Sequence, residues 1–173
     1  MNFKQHLTAG VAIGIASAIP IEMSMSDGFS FVGACMLGAV LPDADTVFPL
    51  AGKNSDWIRK VFSHRGITHT PLFAIVLSIF LYLISGHVYT ATGFLLGNFC
   101  HIFMDSFTVH GTMLLWPYPK YIHFTTVTCG SPSCAIISFA LTTICVILTV
   151  TIFTKVPICY MSTMEYIYNL IGG

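Results

Sequence analysis

Two long stretches without Asp, Glu, Lys or Arg constrain this chain more than any other feature of its sequence. The first lies between Arg65 and Asp105, and the second lies between Lys120 and Lys155. Each can hold an apolar helix of ~20 residues, the length that crosses a bilayer. Charged residues make up 8% of the chain, whereas they make up about 25% of an average soluble domain. The sequence therefore argues against an ordinary soluble enzyme and predicts an integral membrane protein.

The apolar segments predict an all-α, polytopic membrane bundle of about five transmembrane helices. The strongest candidates are residues 71–84, extended at both ends, and 135–154. A third candidate, 89–107, is interrupted by Asn98, His101 and Asp105, and two weaker ones cover 6–21 and 29–41. The apolar tail, 158–171, is either a re-entrant or an interfacial helix. We expect one domain over 1–173, with the motifs in 1–120 and the last span and tail in 121–173.

The placement of Lys and Arg predicts a cytoplasmic N-terminus in a bacterial inner membrane. With five spans, every Lys and Arg except Lys155 lies on the cytoplasmic side. Cleavage of the first segment as a signal peptide is the alternative, and the position of His6 inside that segment argues against it. In this topology Cys129 and Cys134 lie in a reducing loop, whereas an inverted topology allows a disulfide and a zinc contact is a third option.

Seven metal-binding side chains fall at the predicted cytoplasmic ends of four segments. One opens the first segment, two lie in L-P-D-A-D, two lie in S-H-R-G-I-T-H-T-P, and two lie in H-I-F-M-D. Ionisable groups inside a bilayer are costly and are usually paired or functional. We therefore predict that they converge on one metal site. The predicted ligands are His6, Asp43, Asp45, His64, His69, His101 and Asp105.

The spacing within the motifs suits metal binding. His101 and Asp105 are separated by one helical turn, so both lie on the same helix face. Asp43 and Asp45 follow a helix that stops at Pro42, and the last carbonyl groups of a helix favour a nearby cation. Both carboxylates are expected to act chiefly as ligands.

The S-H-R-G-I-T-H-T-P motif predicts a helix start beside an imidazole. His69 precedes Thr70 and Pro71, which are expected to be the N-cap and the first residue of the next helix. A helix N-terminus disfavours protonation of histidine, so this imidazole stays able to bind metal. Arg65 and Lys120 are candidates for contacting a substrate phosphate, although inside-positive topology explains them equally well.

The remaining histidines divide into two groups. His87 and His123 are expected to be structural, because the first lies at the opposite membrane face and neither belongs to a motif. His110 lies just past the fourth segment on the cytoplasmic side. It is therefore a candidate general base, together with Asp43 and Asp45.

The three motifs together resemble the YdjM-like family of predicted membrane-bound metal-dependent hydrolases, some of them LexA-regulated. The resemblance rests on L-P-D-A-D, S-H-R-G-I-T-H-T and H-I-F-M-D-S-F-T-V-H-G-T-M-L-L-W-P, and it covers about 1–120. It implies the same seven metal ligands. Thr70 stands where the family usually has Ser, and His110 stands where a small residue is common. A distant similarity of the family to zinc-dependent phospholipase C and zinc nucleases implies phosphoester hydrolysis.

These observations favour a membrane-bound, metal-dependent phosphoesterase that acts on a lipid or lipid-linked substrate at the cytoplasmic face. Two divalent ions, zinc for preference, would leave the seven ligands with a small positive charge that suits an anionic substrate. The expected partners are the lipid bilayer and an amphiphilic phosphate compound. No nucleic acid is expected, because the net charge is zero. The alternatives are a divalent-metal transporter or channel and a non-enzymatic membrane protein with a structural metal.

Overall fold

The computed structural model describes residues 1–21, 23–43, 66–115, 118 and 120–171, and over these residues the fold is all-helical. The five α-helices are α1 (Phe3–Ala18), α2 (Met25–Val40), α3 (Pro71–Ser85), α4 (Val88–Ser106) and α5 (Pro132–Ile171). Short 3-10 helices cover Leu41–Asp43 and Ile67–His69. In the described part of the chain the only β-type pairing is an isolated bridge between Thr112 and Ile122. The all-α class predicted from the sequence is confirmed there.

Local capping explains where the helices begin. Asn2 caps α1, because its side chain accepts from the Gln5 amide while the Gln5 side chain accepts from the Asn2 amide. Thr70 caps α3 by accepting from the Phe73 amide at 3.2 Å, and Pro71 is the first helical residue. The predicted start of α3 is therefore confirmed.

Glycine residues allow α2 to pack closely against α4. A Cβ atom on Gly97 would overlap the carbonyl oxygen of Cys35, and a Cβ atom on Gly93 would overlap that of Phe31. Gly38 has the same relation to the carbonyl oxygen of Phe94. Small residues that let helix backbones approach are typical of helix pairs in membranes. The contact brings the C-terminal end of α2 beside the last turns of α4.

Two helical segments are long and apolar enough to cross a membrane. They are Met25–Asp43 and Pro132–Ile152, and Pro71–Ser85 is a shorter apolar helix. These two segments support membrane insertion, but they do not confirm the prediction of about five spans. The tail expected as a re-entrant or interfacial helix instead continues α5 to Ile171 without a break.

We expect Gly97→Ala to destabilise the fold, because the added methyl group meets backbone that cannot rotate away. Overpacking of this kind costs about 1–3 kcal/mol. Gly33→Ala in α2 is the matched control, since nothing lies within 4 Å of the added atom; there alanine should be neutral or stabilising. Thermal unfolding in detergent measures both variants, and equal melting temperatures would contradict the close α2–α4 packing.

Candidate metal centre

Four segments of the chain meet at one cluster of imidazole and carboxylate groups. His6 comes from the first turn of α1, Asp43 from the 3-10 helix after α2, and His69 from the 3-10 helix before α3. His101 and Asp105 come from α4. One ligand atom each from Asp43, His69, His101 and Asp105 lies within 4.8 Å of the other three.

The distances between these atoms match those between ligands on one ion. Asp43 Oδ1 lies 3.4 Å from His69 Nε2 and 3.7 Å from His101 Nε2. Asp105 Oδ2 lies 3.9 Å from His101 Nε2 and 4.0 Å from His69 Nε2. Two ligands bound tetrahedrally at zinc distances lie about 3.4 Å apart. The four side chains therefore need only small movements to bind one cation.

His6 is a fifth member of the cluster. Its Nε2 atom lies 3.2 Å from Asp105 Oδ1 and 4.0 Å from Asp43 Oδ2. Its ring stacks on that of His101, with centroids 3.8 Å apart and planes inclined by 24°. The amino group of Met1 also contacts Asp105 Oδ1. The first turn of α1 thus supplies part of the cluster.

Hydrogen bonds orient two of the imidazoles for metal binding. His101 Nδ1 lies 2.7 Å from the carbonyl oxygen of Ala39. A carbonyl oxygen only accepts, so Nδ1 carries the proton and the lone pair of Nε2 faces the two carboxylates. That Nε2 atom is buried and has no hydrogen-bond partner among the described residues. His69 Nδ1 is likewise held, 3.1 Å from Thr68 Oγ1. Such partners are typical of metal-binding histidines.

Burial makes the charge of the cluster costly without a cation. The side chains of His6, His69, His101 and Asp105 are at most 1% exposed, whereas Asp43 is 14% exposed. Two carboxylates beside three neutral imidazoles and the Met1 ammonium carry a net charge of about −1, and buried charge is stabilised only when it is compensated. A divalent ion fits this donor set, and the side chain of Asp43 marks its most accessible edge.

The turn after α4 holds the helix end that carries Asp105. The Thr108 hydroxyl donates to the carbonyl oxygen of Asp105 at 2.8 Å, and the Thr108 amide donates to the same atom. Gly111 has a φ of 64°, and a Cβ atom there would overlap the carbonyl oxygen of Ile122. Only glycine fits both conditions without strain. These residues of the long third motif act by positioning α4.

The structure brings together five of the seven predicted ligands: His6, Asp43, His69, His101 and Asp105. Asp45, His64 and Arg65 lie outside the described residues. His110 is exposed, and within the described part no hydrogen bond or ion pair links it to the cluster. Lys120 is exposed and lines a surface pocket of about 510 Å³ with Tyr118 and Tyr121. The catalytic role of His110 and the phosphate contacts of Lys120 stay predictions.

Asn98 is a polar residue of the interior whose position the sequence analysis did not use. It is fully buried, and neither its Oδ1 nor its Nδ2 atom has a hydrogen-bond partner among the described residues. It precedes His101 by three residues and Asp105 by seven, a spacing that gives one stripe along a helix. That spacing is the sequence signal from which the buried position of Asn98 could have been predicted. No sequence signal, in contrast, predicts that the carbonyl group of Ala39 is the partner of His101.

These features define a helical membrane protein with a buried candidate metal centre. The chain belongs to the YdjM inner membrane protein family, whose model matches residues 1–168. The resemblance and the inner-membrane location predicted from the sequence are thereby confirmed.

The chain is also similar to individual bacterial proteins. Inner membrane protein YdjM of Escherichia coli (strain K12) is 32% identical over 130 residues, which cover 68% of this chain and 66% of the relative. The chain thus spans slightly less than two thirds of that protein. Uncharacterized protein YvsG of Bacillus subtilis (strain 168) is 29% identical over 126 residues, which cover 68% of this chain and 74% of the relative. No solved structure gives a significant match.

Metal removal should destabilise the protein. We expect a chelator to lower the melting temperature of the wild type in detergent, because an ion at 100 times its Kd contributes about 2.7 kcal/mol. Asp43→Asn should make the melting temperature insensitive to the chelator. Asp27→Asn removes an acid from the first turn of α2, far from the cluster, and should keep the wild-type shift of the melting temperature on adding the chelator. A chelator effect that survives Asp43→Asn would place the ion elsewhere.

Proposed function

We propose that this chain is a membrane-bound, metal-dependent hydrolase, and specifically a phosphoesterase. The observation that carries the proposal is the convergence of three imidazole Nε2 atoms and two carboxylates from four segments. A site with this donor set suits a divalent ion that has no redox role. Such an ion supplies Lewis acidity, which activates water and polarises a phosphoryl oxygen.

Zinc is the proposed metal, because imidazole nitrogen and carboxylate oxygen are its usual ligands in hydrolytic sites. The described residues supply enough donors for one ion. A second ion, as in other two-metal phosphoesterases, would depend on Asp45 and His64. We therefore propose one ion held by the described cluster and a second held with the help of those two residues.

The side chains divide into ligands and candidates for proton transfer. His69, His101 and Asp105 are fully or almost fully buried, which suits side chains that hold an ion. Asp43 is the most exposed member of the cluster and lies where a substrate would enter. We propose Asp43, Asp45 or His110 as the general base, since a base must reach the water that attacks. Arg65 and Lys120 are the proposed contacts for the substrate phosphate.

The substrate is proposed to be an amphiphilic phosphate compound, a phospholipid or a lipid-linked phosphate. Support comes from the family's inner-membrane location and from the position of the cluster at helix ends. With about five spans and a cytoplasmic N-terminus, those ends lie at the inner face, where Lys and Arg are concentrated. A lipid headgroup at that face is within reach of such a site.

A divalent-metal transporter is the second candidate, and one observation favours it. Ser78 on α3 and Asn98 on α4 are buried polar side chains whose side-chain N and O atoms have no hydrogen-bond partner among the described residues. Asn98 lies one turn from His101, on the side away from the helix end. Polar groups that continue inward from the cluster are what a permeation path requires.

Turnover distinguishes these functions. We expect the purified protein with zinc to hydrolyse one phosphoester bond of phospholipid in mixed micelles, which leaves one alcohol and one phosphomonoester. His69→Gln and Asp105→Asn should each lower kcat/KM at least about 100-fold, because losing a ligand should cost more than losing an outer-shell partner, which costs about 10–100-fold. His87→Gln, an exposed histidine at the start of α4, is the matched control and should keep full activity.

Two results would contradict the phosphoesterase. One is equal turnover in the wild type and in both ligand variants. The other is zinc flux into proteoliposomes that depends on His69 and Asp105 while no phosphoester is cleaved, which would support the transporter.

A further inference from the structure

A groove of about 500 Å³ follows the seam between α1 and α5. The two helices begin at the same end of the bundle, since Cys134 Sγ lies 4.0 Å from Gln5 Oε1. Small side chains, Ala12 on α1 and Ala135 on α5, line the groove beside the bulkier Phe139. The groove is distinct from the metal centre, because its lining includes none of the cluster residues.

One end of the groove is polar and positively charged. Asn2, Lys4 and Gln5 line it there, and the Lys4 side chain is exposed. Among the residues that the structure describes, no acidic side chain lines the groove. A negatively charged headgroup is therefore the complementary ligand for this end.

The rest of the groove is suited to an acyl chain. Its threonine hydroxyls donate within their own helices: Thr8 donates to the Lys4 carbonyl oxygen at 2.8 Å. Thr142 donates to that of Ser138 at 2.8 Å, and Thr143 to that of Phe139 at 2.9 Å. Because these hydroxyl protons are already donated within the helices, this part of the groove offers a ligand mainly apolar contact.

The helix beside the groove is long and apolar enough to face lipid. The α5 segment beside it, Pro132–Ile152, is one of the two long apolar segments, and Phe139 on it is 78% exposed. The chain belongs to an inner membrane protein family. An apolar groove on such a segment is suited to contact the bilayer, and a lysine near a membrane surface attracts anionic lipid.

We propose that this groove binds one anionic phospholipid, with the phosphate beside Lys4 and an acyl chain between α1 and α5. This site is independent of the proposed hydrolase function, since it uses none of the metal ligands.

Native mass spectrometry with two lipids of identical acyl chains tests the proposal. We expect phosphatidylglycerol to bind about fivefold more tightly than phosphatidylcholine, the factor that one lysine near a membrane surface provides. Lys4→Gln should abolish this preference. Lys155→Gln removes the same charge from a residue with no proposed role in binding and should keep the preference. Ala12→Leu, which narrows the groove, should weaken both lipids, with an unchanged melting temperature as the control for folding.

Three outcomes would overturn the proposal: equal affinity for the two lipids, a preference that survives Lys4→Gln, or a dimer whose dissociation, rather than lipid loss, follows from Ala12→Leu. The last result would mean that a second copy of the chain covers the groove. Because His69→Gln should leave the lipid preference intact, failure of the lipid site and failure of the metal site are distinguishable.

Discussion

Two carboxylates, Asp105 buried and Asp43 partly buried, are the constraint on which the rest of this structure depends. Asp43 and Asp105 lie among three imidazoles where little solvent reaches, so their charge must be compensated inside the protein. A divalent cation does this with the donors already present. The hydrogen bond from His101 to the Ala39 carbonyl group and the capping of α4 by Thr108 both serve to hold ligands in place.

The close packing of α2 against α4 brings the ligands of the cluster together. Gly38, Gly93 and Gly97 remove the side chains that would separate the two helices. Asp43 at the end of one helix can then reach His101 and Asp105 near the end of the other. Substitutions at these glycines should therefore alter the metal centre as well as stability, although none of them contacts a ligand atom directly.

Local sequence signals predicted much of this arrangement. Pro42 and the Thr70–Pro71 pair mark helix ends, and the spacing of His101 and Asp105 places both on one face. The motifs are far apart in the chain but share one predicted membrane face, and this was enough to predict that they meet in the fold. The partner of His101 was not predicted, and neither was the lack of a side-chain partner for Asn98 among the described residues, because both depend on which backbone a neighbouring helix presents. The continuation of α5 through the tail was missed because an apolar tail also suits an interfacial helix.

X-ray absorption at the zinc edge of the purified, zinc-loaded protein tests the central claim most directly. The account predicts a first shell of nitrogen and oxygen at about 2.0–2.1 Å with outer scattering from imidazole rings. That shell should disappear in the Asp43→Asn, His101→Gln double variant. A sulfur shell at about 2.3 Å, or no stoichiometric zinc in the wild type, would contradict it.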